Sequence, residues 1–308
     1  MPKNFLTIGI PTYRRYRPLD RLIRAILESP YLADARVLVM DDSAMPDESA
    51  LALMRYAQEP RVRYVVNDIN VGYGKNVLRL LQDVETEYML LMADDDVLLD
   101  RNIPSLIEFL ERHRPARAAG GFRFAKHAAT RVVPKARMIM PEDYFVSSAA
   151  ASGLVFRATE CRRHVTTILD LIESGNEFAS LYPQVVLAIL LLCEQAPSMY
   201  VPHIIAEEGE GLPSGIRDFD GNNYASLSSR IRQLADFDRF LGSMPSSEVR
   251  DRIVAAGRFT HLSQCIYADP GIQSRLARQQ VRNYFVDMAF SLVPGLTKEG
   301  LKKWLGLR

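Results

Sequence analysis

The stretch YMLLMADDDVLLD, residues 88–100, runs five largely apolar residues straight into three consecutive aspartates. The apolar half reads as a buried strand. Side-by-side carboxylates repel one another, and a buried carboxylate is costly unless a partner compensates it. The residues before this stretch say what kind of fold presents it. NFLTIGIPTY (4–13) is a strand-like run stopped by Pro11, and PLDRLIRAILES (18–29) carries apolar residues along one helical face. ARVLVMDDS (35–43) is a strand ending in carboxylates, DESALALMRYAQ (47–58) reads as helix and VRYVVND (62–68) as strand. GKNVLRLLQDV (74–84) is helical again and leads into the opening stretch. Strands separated by helices of this length form βαβ units and a parallel sheet, with right-handed crossovers that cover both of its faces.

Ligands of such sheets bind at the carboxyl ends of the strands. Strand one ends in Thr12-Tyr13-Arg14, strand two in Asp41-Asp42, strand three in Asn67-Asp68 and strand four in Asp94-Asp95-Asp96. One rim therefore collects five carboxylates from two strands. Clustered hard oxygens select Mg²⁺ or Mn²⁺, and magnesium commonly completes its shell with phosphate oxygens. NVGYGKN (70–76) adds two glycines and Lys75 at the opening of a helix, an arrangement that suits anions although the Walker pattern is absent. Metal, diphosphate and parallel sheet together indicate a nucleotide-activated substrate.

Composition narrows the field. The chain has 308 residues, 48% apolar and 24% charged, with a net charge of +1, so no global field selects nucleic acid. Cys161, Cys193 and Cys265 are scattered without a CxxC pair, which fits a reducing compartment and offers neither a disulfide framework nor a zinc site. The opening residues lack the pattern of a signal peptide, and VVLAILLLC (185–193) is too short to cross a bilayer. The expectation is a cytoplasmic protein.

IGIPTYRR, VLVMDDSA, NVGYGKN and LLMADDDVLL, in that order and spacing, resemble the family 2 glycosyltransferases. The resemblance is strong over residues 4–125 and continues more weakly to about 205. It implies an α/β GT-A fold, Rossmann-like, with a mostly parallel central sheet flanked by helices. It also implies transfer of a sugar from a nucleotide diphosphate donor to an acceptor hydroxyl, with inversion and with Mn²⁺ or Mg²⁺. On this resemblance Pro11, Thr12 and Tyr13 form the first nucleotide-contacting turn, followed by Arg14. Asp41 meets the nucleobase edge with Asp42 beside it, and Lys75 faces base and diphosphate. Asp94 and Asp95 contact ribose and donor sugar, and Asp96 is the metal ligand.

The second half is less legible. ASGLVFRATE (151–160) resembles the family's acceptor-side segment: a small-residue turn, a strand, then a helix over 160–174 capped by Thr159 and stopped at Gly175. Ser180 then reads as the cap of LYPQVVLAILLLCEQ (181–195), with Pro183 in its first turn. Inverting transfer needs a general base, which the family often draws from an ED pair at a helix start. That pair is missing, and Glu177 is the nearest candidate. Asp170, Glu173 and the pair Glu142-Asp143 are rivals. His203 reads either as an extra donor or metal contact or as a structural histidine.

These readings divide the chain into a catalytic domain over 1–206 (donor half 1–125, acceptor half 126–206), a loop over 207–223 and a helical C-terminal region over 224–308. The loop, rich in glycine and charge, reads as a mobile lid or as a linker. The cationic end LTKEGLKKWLGLR (296–308) could lie peripherally on the inner face of a cell membrane or pack on the protein itself. Two functions stay open. One is a glycosyltransferase acting on a glycan or lipid-linked glycan acceptor, as in polysaccharide or O-antigen assembly. The other is a non-catalytic relative that binds nucleotide sugar or glycan and has lost the base.

Overall fold

The computed structural model describes residues 4–44, 53–124, 131–209 and 223–268. Residues 296–308, and all of the 207–223 loop except its first three residues and its last, lie outside them. The chain divides into two compact units, Met1–Ile216 and Arg217–Arg308.

The first unit is built on a mixed sheet. Its strands are β1 (Leu6–Thr12), β2 (Arg36–Asp41), β3 (Val62–Val66), β4 (Tyr88–Leu91), β5 (Val97–Leu98), β6 (Arg117–Arg123), β7 (Arg137–Met138), β8 (Leu154–Arg157) and β9 (Ser198–Glu207). Their order is β3-β2-β1-β4-β8-β6-β9-β5, with β7 also on β9. The four strands read from the sequence, β3-β2-β1-β4, are parallel neighbours. β8 then runs antiparallel between β4 and β6, and β6 pairs in parallel with β9. This order puts β1 and β4 in the interior of the sheet, which is why both strands are apolar on both faces and fully buried.

The helices follow the apolar pattern. In α1 (Tyr16–Glu28) the buried residues Leu19, Leu22, Ile23 and Ile26 recur at helical spacing and pack into the core. α2 (Tyr73–Asp83) and α3 (Ile103–His113) do the same with Val77, Leu78, Leu80 and Leu81, and with Leu106, Ile107 and Leu110. Residues 54–58 form a 3₁₀ turn rather than the second half of an α-helix, and residues 47–52 of that expected helix lie outside the described segments.

Downstream of β8 the expected helix over 160–174 is two helices, α4 (Ala158–Arg162) and α5 (Val165–Glu173). The His164 N–H bonds back three residues to Cys161 O (3.1 Å), and this tighter turn ends α4. Thr159 is therefore not a cap; it is the second residue of a helix that has no side-chain cap. Ser180 is not a cap either. Asn176 caps a short helix, α6 (Glu177–Leu181), by accepting from Ala179 N, and Ser180 lies inside it. Pro183 then disfavours helical geometry at Tyr182 (φ −133°, ψ 53°), which separates α6 from α7 (Pro183–Cys193). Val185–Ile189, Leu191 and Leu192 are buried, so α7 is apolar on nearly all sides because it is an interior helix.

The second unit contributes α8 (Leu227–Ser243), capped by Ser226, and α9 (Glu248–Ala268). They run antiparallel: Arg230 reaches Gln264, Phe237 meets the His261 ring and Asp238 pairs with Arg258. Among the described residues no helix is long and apolar enough to cross a membrane.

Candidate active site

The carboxyl ends of β2, β1 and β4 form one rim, held together through Thr12 at the tip of β1. On one side Thr12 O accepts from Asp42 N (2.9 Å), and Thr12 is in register with Asp41. On the other side its hydroxyl donates to Asp94 Oδ2 (2.6 Å). The two acidic strand ends are thus neighbours of a single threonine.

The triple aspartate has partners of its own. Arg15, at the start of α1, donates through Nη1 to Asp95 Oδ2 (2.6 Å) and to Asp94 Oδ1 (3.3 Å). Asp96 Oδ2 accepts from the Ser152 hydroxyl (2.5 Å), which in turn accepts from Ala93 N (2.8 Å). Asp96 Oδ1 accepts from Gly209 N (3.2 Å). Burial pushes Asp94 up to about 6 against the opposing pull of Thr12 and Arg15. Burial also pushes Asp96 up to about 6, and the charges of Asp95 and Glu208 add to the rise while the Ser152 and Gly209 bonds oppose it. Asp95 and Asp96 open onto a cavity of about 240 Å³ shared with Phe122, Phe124, Ala150, Ala151, Glu208 and Gly209.

Asp41 and Asp42 face inward. Asp41 is wholly buried; one oxygen accepts from Ser43 N and Oγ, the other from Tyr64 OH (2.7 Å), whose own ionisation burial pushes upward. Asp42 accepts from Asn67 Nδ2, Val71 N and Gly72 N, each at 2.8 Å. The glycine-rich turn before α2 therefore already receives an anion, and that anion is Asp42. Lys75 on α2 pairs with Glu173 on α5 (3.1 Å), which accounts for one rival base.

Pro11 and Thr12 are buried in β1, Tyr13 is 39% exposed, and Arg14 lies over the Tyr13 ring (5.3 Å to its centroid) with its N–H on Ser43 Oγ (3.0 Å). Glu177 opens α6 and is 1% exposed. Its helix packs on α2 at Gly74, where a Cβ would sit 2.5 Å from Ser180 O. Asp170 is exposed on α5, Asp143 pairs with Arg137 (2.8 Å), and His203 lies within β9.

Three site residues escaped the sequence reading. Arg15 could have been found from its place immediately before the first helix, where its side chain can turn back over the rim. Ser152 sits in the small-residue turn already singled out. Glu208 had no signal beyond charge.

Residues 7–158 match the model described as Glycosyl transferase family 2. This chain carries a family 2 glycosyltransferase domain. No curated protein matches the chain. Among solved structures, this glycosyltransferase is similar to S. aureus TarS 1–349 in complex with UDP-GlcNAc, with TM-score 0.62, 14% identity, and coverage of 94% of this chain and 82% of that one. The same TarS segment in another crystal structure gives 0.59, 13%, 94% and 81%. The mannosyltransferase PcManGT from Pyrobaculum calidifontis, in complex with GDP-Man and Mn2+, gives 0.53, 14%, 99% and 84%. At these identities the likeness concerns the fold, and it bears out the expected GT-A sheet with its flanking helices.

Proposed function

We propose that this glycosyltransferase moves a sugar from a nucleotide diphosphate donor to an acceptor hydroxyl with inversion, and that a divalent cation assists. The observation that carries the reading is the shared rim: Thr12 and Arg15 draw Asp94 and Asp95 together beside the β2 tip, and Asp96 faces the adjoining cavity. UDP-GlcNAc in TarS and GDP-Man with Mn2+ in PcManGT support it.

Among the described residues no three His, Cys, Asp or Glu side chains converge into a complete metal cage. The Asp96 carboxylate, facing the cavity, fits a Mg²⁺ or Mn²⁺, a cation that takes one or two protein carboxylates and would complete its shell with phosphate oxygens and water. Held there, the cation would supply neutralisation of the charge growing on a departing diphosphate. Asp94 and Asp95, oriented by Thr12 and Arg15, accept from ribose and donor-sugar hydroxyls. Asp41, fully buried, fixes Ser43 and Tyr64 at the edge of the base site.

Glu177 is the proposed general base. A second reading has its own observation: Glu208 lines the cavity together with Asp95 and Asp96. The acceptor is a glycan or lipid-linked glycan of the kind built into bacterial polysaccharide or O-antigen, reached from the cytoplasmic side. Turnover of a nucleotide-sugar panel with Mn²⁺ tests the reading. Asp96→Ala should abolish transfer, and Glu177→Gln should lower kcat at least 100-fold, the scale on which general bases contribute. Full activity in Glu177→Gln with loss in Glu208→Gln would transfer the role to Glu208. Donor binding without turnover of any acceptor would favour a binding protein.

A further inference from the structure

The segment from Met140 to Gly153 has little regular structure, yet it carries the hydroxyl that holds Asp96. What fixes it is a pair of buried arginines. Arg117, wholly buried in β6, donates to Ser147 and Ser148. Arg131, 6% exposed, is bridged through its main chain to Phe122 (2.9 Å in both directions). Its guanidinium spends its donors on carbonyls: Nε on Gly120 O (2.7 Å), Nη1 on Ala150 O (2.9 Å) and Nη2 on Ser152 O (2.6 Å). Among the described residues no carboxylate pairs with it. A buried cation without a counter-ion is costly, and burial pushes Arg131 down to about 9. Three divergent bonds from one planar, rigid group nonetheless lock the Ala150–Ser152 turn against β6 in a way a lysine could not.

We infer that Arg131 and Ser152 are positioning residues for the metal-binding carboxylate. Arg131 clamps the main chain of the turn, and Ser152 passes that constraint to Asp96 Oδ2 while anchoring to Ala93 N. The inference rests on the reading of Asp96 as a metal ligand. Groups that orient a ligand from behind typically change metal affinity 10- to 100-fold when removed.

The test is Mn²⁺ titration of the full chain followed by electron paramagnetic resonance, without nucleotide, alongside thermal melting. Ser152→Ala leaves the arginine clamp in place and should weaken Mn²⁺ binding about tenfold in a chain that still melts cooperatively, its melting temperature lowered only by the freed Ala93 N–H, and Ser152→Thr should restore binding. Arg131→Lys should weaken Mn²⁺ similarly; if it fails to fold, Ser152→Ala still decides. Mn²⁺ affinity within twofold of the unsubstituted chain in Ser152→Ala overturns the inference alone. No Mn²⁺ uptake by the unsubstituted chain overturns the metal reading and the inference with it.

Discussion

Replacing Asp42 by alanine would take the acceptor from the half-buried Val71 N–H, whereas the Asn67 amide keeps Asn76 Oδ1 (2.9 Å) and the Gly72 N–H keeps Asn70 Oδ1 (3.0 Å). An unsatisfied donor and the lost carboxylate bonds together cost about 1–3 kcal/mol, so Asp42→Ala should lose about that much in urea unfolding. Asp95 is more open, and Arg15, its partner, keeps Asp94 as a second acceptor. Asp95→Ala should therefore change stability by less than about 1 kcal/mol while transfer activity collapses. Equal stability losses in the two variants would contradict this division of labour. Both aspartates end a strand and look alike in the sequence. Whether a carboxylate meets protein amides or open space depends on where the 67–72 turn folds back, and nothing local to DDS or DDD encodes that.

Gly74 shows the same dependence between elements. In the sequence it belongs to a glycine-rich helix opening that suits phosphate. In the fold its missing side chain lets α6, with Glu177 at its head, lie against α2. Gly74→Ala puts a methyl group into the Ser180 carbonyl, and overpacking of this kind costs about 1–3 kcal/mol. The same variant should lower kcat, because the shift displaces Glu177, with little effect on donor KM; unchanged kcat at a measurable loss of stability would separate Glu177 from the reaction. The alternation of strands and helices up to β4 was legible because each apolar run is bounded by turn residues and each helix has one apolar stripe. The α4–α5 break and the capping by Asn176 were not, since they turn on a three-residue hydrogen bond at His164 and on the backbone bias that Pro183 imposes on Tyr182.

In the helical C-terminal unit, burial pushes His261 down to about 4, with Arg230 adding to the fall and a bond with Gln264 opposing it. The Phe237 ring packs against it (4.8 Å between centroids). The folded chain keeps this ring neutral where the unfolded chain, with an ordinary histidine near 6.5, takes up a proton. Its contribution is therefore fully present above about pH 6.5 and is lost as pH falls toward 4, at up to about 1.4 kcal/mol per pH unit. Urea unfolding of the unsubstituted chain and His261→Gln at pH 7.5 and pH 5 should show the gap between them narrowing at the lower pH. A gap independent of pH would place the proton elsewhere.

For the molecule as a whole, the account stands on a single cradle for diphosphate and cation at the tips of β1, β2 and β4. The donor-side rim could be foreseen because parallel sheets bind at those ends. Ser152 and Glu208 could not, because they arrive from a distant turn and from just past the end of β9. Isothermal titration calorimetry of uridine, guanosine, thymidine and cytidine diphosphates, with and without Mn²⁺, tests the cradle most directly. The account expects at least one of them to bind at least tenfold tighter with Mn²⁺, and that gain to vanish in Asp96→Ala. Binding of none, or a manganese gain that survives Asp96→Ala intact, would contradict it.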